Sequence, residues 1–183
     1  MNKNQNPVEI KLIQALLELL KENNFDDLSV QQICQVSKIS RTSFYNYYIN
    51  KEEFKNIIIE NALNYLTAIL HNNNNLSLKK GVLVKLFEFV KSERDLWNML
   101  FEHFAIIDHL LKYIEEIIIN SEINLESKLL EVSHLIPSPY ALDLYFSSIL
   151  SIITTWFKNG LKENPDELAD IILTITTLQI RGD

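Results

Sequence analysis

The sequence contains very little cysteine, glycine or proline. It has one cysteine, three glycines and four prolines. The single cysteine, Cys34, excludes an intramolecular disulfide and a cysteine metal cluster. The scarcity of glycine and proline argues against a β fold rich in turns. Because Cys34 falls on the apolar face of a predicted helix, we expect a small core residue rather than a redox switch.

Long hydrophobic runs are also missing. No apolar stretch reaches the roughly 18 residues that a transmembrane helix needs. The first residues, Met1 to Asn6, lack the apolar stretch of a signal peptide. Hydrophobic residues still make up 47% of the 183 residues, enough to bury a core as one domain or two small ones. We therefore expect a soluble cytoplasmic protein without a membrane partner.

An excess of positive charge, which would indicate general affinity for polyanions, is absent. The net charge is −7. Up to Asn56 there are seven basic and seven acidic residues, and beyond it ten basic and seventeen acidic. A neutral N-terminal part attached to an acidic remainder suits a protein that binds specific duplex sites through a few contacts.

Motifs of enzymes and metal sites are not found. The sequence has no helical two-histidine metal motif, no glycine-rich phosphate loop and no nucleophile elbow. One group of polar residues resembles a metal cluster in composition: Glu102, His103, Asp108 and His109. Their spacing does not direct them at one ion. We therefore expect no enzymatic activity, no metal and no cofactor.

The stretch from Leu28 to Phe54 carries three successive helix starts. Each begins with a residue that suits an N-cap: Ser29, Ser40 and Asn50. Capping-box partners follow the first and third caps: Gln32 and Glu53. Apolar pairs flank the caps as hydrophobic staples: Leu28 with Ile33, Ile39 with Phe44, and Ile49 with Phe54. The pattern predicts a compact three-helix unit whose first two helices form either a helix-turn-helix or an ordinary helical hairpin.

The side chains of the second helix favour DNA binding. Arginine reads guanine bidentately, and hydroxyl groups bond phosphate oxygens. The candidates for base edges are Arg41, Thr42, Ser43 and Asn46. The candidates for phosphates are Ser29, Ser40, Tyr45, Tyr47 and Lys51, with Lys38 near the DNA backbone. Lys51 opposes the dipole of the helix it begins, so a phosphate would explain a lysine there; the alternative is an ordinary solvated side chain.

Residues Val8 to Phe54 resemble the N-terminal DNA-binding domain of the TetR family of transcriptional regulators. The most specific match is the run from Ser40 to Tyr48, SRTSFYNYY, closed by NKEEF at 50–54. The family often has glycine where this chain has Lys38. If Lys38 adopts a positive φ, its side chain costs about 1 kcal/mol.

The resemblance implies an all-α protein with two domains. A three-helix helix-turn-helix DNA-binding domain would occupy residues 1–56, and an α-helical ligand-binding and dimerisation domain residues 57–183. Helical periodicity predicts a first helix from Asn6 to about Asn23 and a long helix from Lys51 to about His71. Further starts are predicted at Ser77, Ser92, Ser138 and Asn164, with one more helix between Ser121 and Ile136.

The helix between Pro139 and Asn159 is apolar on all sides, so it must be covered on all sides. Packing of the last two helices on those of a second chain would give a four-helix bundle across a two-fold axis. The spacing of five C-terminal residues resembles the family's small regulators related to dihydroxyacetone kinase regulation: Trp156, Gly160, Pro165, Glu167 and Leu168.

The function implied is that of a homodimeric, ligand-responsive regulator, usually a repressor, that binds double-stranded operator DNA. Four residues could line a pocket for a small-molecule effector, or simply form core: Trp97, Phe101, His103 and Phe104. The alternative is a regulator, including an activator, that is controlled by a partner protein instead of a small molecule.

Overall fold

The computed structural model describes residues 6–71, 79–119 and 137–178. No strand occurs in these three ranges, so the expected all-α fold class is confirmed. In chain order the helices are α1 Pro7–Leu19, α2 Val30–Ser37, α3 Arg41–Tyr45, α4 Lys51–His71, α5 Lys80–Ser92, α6 Arg94–His103, α7 Ile106–Ile119, α8 Ser138–Lys158 and α9 Pro165–Leu178, with a 3₁₀ turn at Phe25–Asp27. Among them, none has the length and hydropathy needed to cross a bilayer.

The described residues form two compact units. The first contains residues 6–62 and 93–105, and the second contains 63–71, 79–92, 106–119 and 137–178. The division falls inside α4, and α6 belongs to the first unit. The domain boundary expected after Asn56 stays a prediction.

The first unit is built around α1, which packs against α2 and against α6. Leu12 and Leu16 lie one turn apart on α1 and are fully buried. Ile33 of α2, Phe44 of α3 and Phe54 of α4 are buried as completely. Each helix of this unit therefore contributes an apolar face to one small core.

The start of α1 is as predicted, but its end comes earlier than Asn23. The Asn6 side chain accepts the Val8 N–H at 3.0 Å, and Pro7 occupies the first turn. After Leu19 the backbone tightens into bonds that reach three residues back. The Asn23 side-chain amide then donates to the Leu19 carbonyl at 2.8 Å and satisfies one of the last helical acceptors.

The three predicted caps are confirmed. Ser29 and Gln32 form a reciprocal capping box, with N–H to oxygen distances of 3.2 and 2.8 Å. Ser40 accepts the Ser43 N–H at 3.0 Å, and Asn50 accepts the Glu53 N–H at 2.8 Å.

The third capping box and the third staple both depart from the prediction. The Glu53 carboxylate accepts the backbone N–H of Ile49 rather than that of the cap residue. The Ile49 side chain is 77% exposed, so it leaves most of its surface in solvent instead of packing on Phe54.

In the second unit, α5 packs against α9. The Lys80 ammonium joins these helices by bonds of 2.9 Å to the Asp166 carboxylate and 2.7 Å to the Asp170 carboxylate. Helix α9 begins where the sequence predicts, because Asn164 accepts the N–H groups of Asp166 and Glu167 at 3.0 Å each. The Glu167 carboxylate accepts the Asn164 N–H at 2.9 Å and completes the cap.

Helix α8 also has the predicted bounds. Past its end, Gly160 and Leu161 have φ values of 72° and 58°, and the Leu161 N–H bonds back to the Trp156 carbonyl at 2.8 Å. The Trp156 indole donates to the Glu163 carbonyl at 3.0 Å, which pins the turn between α8 and α9. The predicted cap at Ser77 and the predicted helix between Ser121 and Ile136 lie outside the described residues.

Candidate nucleic-acid interface

The turn between α2 and α3 sets the direction of α3. Lys38 has φ 57° and ψ 29°. This is the left-handed conformation expected at a position where the family often has glycine. The Ile39 N–H reaches back to the Cys34 carbonyl at 3.1 Å, and the Lys38 N–H to the Gln35 carbonyl at 3.4 Å. This is a Schellman ending, which normally carries glycine at the left-handed position. The Cys34 side chain is buried, as expected, and burial raises the pKa of its thiol.

Helix α3 is short and is anchored by one side chain. Phe44 is fully buried, with its ring centre 5.2 Å from that of Tyr48 and 5.8 Å from that of Phe54. The opposite side of the segment faces solvent and carries the predicted contact residues: Arg41, Thr42, Tyr45, Asn46 and Tyr47. A recognition helix needs a buried side chain that fixes it to the core and exposed polar side chains that can reach DNA.

The serine hydroxyls in this region already have partners in the protein. The Ser40 hydroxyl lies 2.8 Å from that of Ser43 and accepts the Ser43 N–H. The Ser29 hydroxyl lies 2.8 Å from the Gln32 side-chain oxygen. The phosphate roles of Ser29 and Ser40 and the base-edge role of Ser43 stay predictions. A DNA contact by any of these hydroxyls must coexist with the intramolecular hydrogen bond that it already makes.

Lys51 is placed differently from the other predicted contacts. Its ammonium donates to the backbone carbonyls of Phe25, Asp26 and Leu28 at 2.9, 2.7 and 2.9 Å. A lysine has three N–H donors, so these bonds occupy all of them. The carbonyls give an intramolecular reason for a lysine at the start of α4. The phosphate role of Lys51 stays a prediction.

The four residues predicted for an effector pocket lie on or just after α6, and their role in a shared pocket stays a prediction. Trp97 and Phe104 are buried in the first unit, 1% and 5% exposed, and the Phe104 ring meets the Phe25 ring edge-on at 4.9 Å. Phe101 is half-buried. His103 borders a cleft of about 490 Å³ between α1 and α6.

The opposite wall of this cleft includes polar α1 residues that the sequence analysis did not propose as site residues. They form a polar stripe at helical spacing: Gln14, Glu18 and Lys21. This helical spacing is visible in the sequence, but a polar stripe on a helix normally indicates a face exposed to solvent. Only the packing of α6 on α1 turns it into the wall of a cleft. Among the described residues, no group of three His, Cys, Asp or Glu side chains is placed to hold a metal ion.

Two family descriptions match this sequence. "Bacterial regulatory proteins, tetR family" matches residues 12–55. "Transcriptional regulator C-terminal region" matches residues 77–178, more than half of the chain. The chain belongs to the TetR family. As a TetR-family transcriptional regulator, it has its helix-turn-helix in α2 and α3.

Two curated relatives of this TetR-family regulator match over part of their length. The "HTH-type dhaKLM operon transcriptional activator DhaS" of Lactococcus lactis is 27% identical over 114 residues, 58% of this chain and 59% of the relative. The "Biofilm operon icaADBC HTH-type negative transcriptional regulator IcaR" of Staphylococcus epidermidis is 30% identical over 81 residues, 44% of each. The chain thus matches less than two thirds of either relative.

The fold itself is matched along most of the chain. A solved TetR transcriptional regulator from Streptococcus agalactiae 2603V has a TM-score of 0.66, with 18% identity and 92% of each chain covered. At this identity the match shows a shared fold and nothing about the ligand or the operator.

Proposed function

We propose that this TetR-family regulator is a homodimeric repressor that binds a pseudo-palindromic operator through α3 and releases it when a small molecule binds. The observation that carries the DNA-binding part is the orientation of α3. Phe44 fixes the helix to the core, while Arg41, Thr42 and Asn46 are exposed on the other side. A helix presented in this way can enter a major groove with its polar side chains at base edges.

The contacts divide into two sets. Arg41, Thr42, Ser43 and Asn46 would meet base edges. Ser29, Lys38, Ser40, Tyr45 and Tyr47 would meet the sugar-phosphate backbone and set the register. Tyr45 and Tyr47 support this division because they are large aromatic residues left 47% and 51% exposed beside α3, with hydroxyl groups that suit phosphate oxygens.

The dimer would form through α8 and α9. Most of the apolar surface of α8 is covered within the second unit, but Tyr140 and Leu144 are 70% and 52% exposed. Ile171 on α9 is 40% exposed. Because all three are large apolar residues, pairing with the same helices of a second copy would cover them and form a four-helix bundle.

The effector would act through α6. The cleft that His103 borders, at about 490 Å³, has the size of a small-molecule site. Its walls come from two different helices, so a bound molecule would favour one arrangement of α6 against α1. Such a ligand shifts the protein between states only by its different affinity for each.

Activation of transcription is the alternative to repression. The Lactococcus relative is described as an activator and the Staphylococcus relative as a negative regulator. An activator controlled by a partner protein is therefore the alternative. In a purified transcription assay, a repressor lowers transcript from an operator-bearing promoter and an activator raises it.

The test begins with the full-length protein and a random pool of duplexes. We expect enrichment of a sequence with two-fold symmetry and a sedimentation mass of two chains. Binding should then weaken in the presence of the effector, found by screening small molecules for a rise in melting temperature. A stable monomer, or a pool from which no duplex is enriched, would refute the proposal.

A further inference from the structure

The side chain of Lys51 links the two ends of the helix-turn-helix segment. Lys51 is the first residue of α4, directly after the segment. Its three carbonyl partners, Phe25, Asp26 and Leu28, lie directly before it, in the 3₁₀ turn and next to the cap of α2. The bonds span 23 to 26 residues of sequence, so they fix tertiary geometry and not a local turn.

The turn that Lys51 holds contains Phe25, which is buried and only 4% exposed. The Lys51 ammonium lies 5.0 Å from the ring centre, and the Lys55 ammonium 5.2 Å from it. The Phe104 ring meets the same ring edge-on at 4.9 Å. Cations over an aromatic ring and edge-on ring pairs are both attractive arrangements. The residue that follows α6 therefore packs on the turn that Lys51 holds.

We propose that Lys51 is a positioning residue for DNA recognition and not a phosphate contact. By tying the entry of α2 to the start of α4, it sets the direction in which α3 is presented. A phosphate could reach this ammonium only by displacing a charge-assisted hydrogen bond to a carbonyl, because no N–H donor is left over. The three carbonyls also offset the cost of a positive charge at a helix N-terminus. The inference rests on the proposed DNA binding.

Two substitutions separate positioning from phosphate contact. Lys51→Arg keeps the charge, but its planar guanidinium cannot converge on three carbonyls as an ammonium does. Lys51→Met removes the charge and keeps the length. We expect both variants to lose operator affinity about tenfold, the size expected when charged hydrogen bonds are lost. The slope of log affinity against log salt should stay at the wild-type value, because no phosphate contact is removed.

The matched control is Lys55→Met. Lys55 lies over the same ring and forms an ion pair with Glu52 at 2.5 Å, but makes none of the three carbonyl bonds. Removal of its charge should leave operator affinity within about twofold of wild type. A third variant, Phe104→Leu, loosens the turn from its other side without changing any charge. It should weaken operator binding with an unchanged salt slope.

The measurements are made well below each variant's melting temperature, with circular dichroism confirming the fold. If Lys51→Arg binds like wild type while Lys51→Met lowers the salt slope by about one, Lys51 contacts a phosphate and the inference is overturned. Wild-type affinity in both Lys51 variants, with only a lower melting temperature, would reduce Lys51 to a stabilising role and overturn it as well. Failure of the unsubstituted protein to bind any duplex would instead refute the proposed function, and this inference with it.

Discussion

The guanidinium carbon of Arg41 lies 5.9 Å from the centre of the Tyr45 ring, one helical turn further along the exposed side of α3. An exposed contact of this kind contributes about 0.5–1 kcal/mol. Its more important effect is to restrict the conformations of the Arg41 side chain before DNA binds. An arginine held over the Tyr45 ring has fewer conformations to lose when it meets a base, so part of the entropy cost of binding is met in the unbound protein.

Substitution of Arg41 by alanine should reduce the discrimination between the operator and a single-base variant by about 1–3 kcal/mol. Competition gel shifts with the two duplexes measure this difference directly. Arg94→Ala is the control, since Arg94 is an exposed arginine on α6 and lies outside the proposed interface. Equal discrimination by the Arg41 variant and the wild type would exclude Arg41 from base reading.

Substitution of Lys38 by glycine should stabilise the first unit by up to about 1 kcal/mol. Lys38 has φ 57°, where a Cβ atom is strained and glycine is not. Urea titrations followed by circular dichroism measure the change in the free energy of unfolding at constant m-value. Lys38→Ala retains the Cβ atom and should bring no such gain. If alanine stabilises as much as glycine, backbone strain is not the cause.

Substitution of Leu144 by glutamate should dissociate the proposed dimer. The residue is 52% exposed on α8, so a charge is tolerated in the single chain but would be buried in the four-helix bundle. Sedimentation velocity should show a mass of one chain, and operator affinity should fall with it. Asp143→Asn, at an exposed polar neighbour, should stay dimeric. An unchanged dimer in the Leu144 variant would place the interface elsewhere.

Alkaline pH should destabilise the protein between about pH 10 and 12. Burial raises the pKa of Tyr48 and of Tyr145 from 10.0 to about 12. The unfolded chain loses these phenolic protons above pH 10, while the folded chain retains them to about 12. Stability is therefore full below pH 10 and declines above it, with a limiting slope of about 1.4 kcal/mol per pH unit for each tyrosine.

Thermal melts across this range, with the ultraviolet absorbance of tyrosinate, measure the alkaline effect. Tyr48→Phe has no phenolic proton at that position, so its stability should fall less steeply. Ionisation of Tyr48 and Tyr145 near pH 10.0 in the folded protein would contradict the prediction.

The sequence predicts an interaction better when the two residues lie close together in the chain. The Ser29–Gln32 box and the N-cap of α9 at Asn164 each join residues three apart, so the residue types alone indicate them. The staple with Ile49 is equally local but was predicted wrongly, because its burial depends on what else covers that position, and Ile49 is 77% exposed.

Sequence alone determined the helical class, the caps and the polar side of α3, since periodicity and capping act within one or two turns. Only the tertiary structure decided that α6 packs on α1, that Phe104 meets Phe25, and that Lys51 binds three carbonyls. The physical reason is that these contacts join residues far apart in the chain. Their geometry depends on how whole helices pack, and no short stretch of residues encodes it.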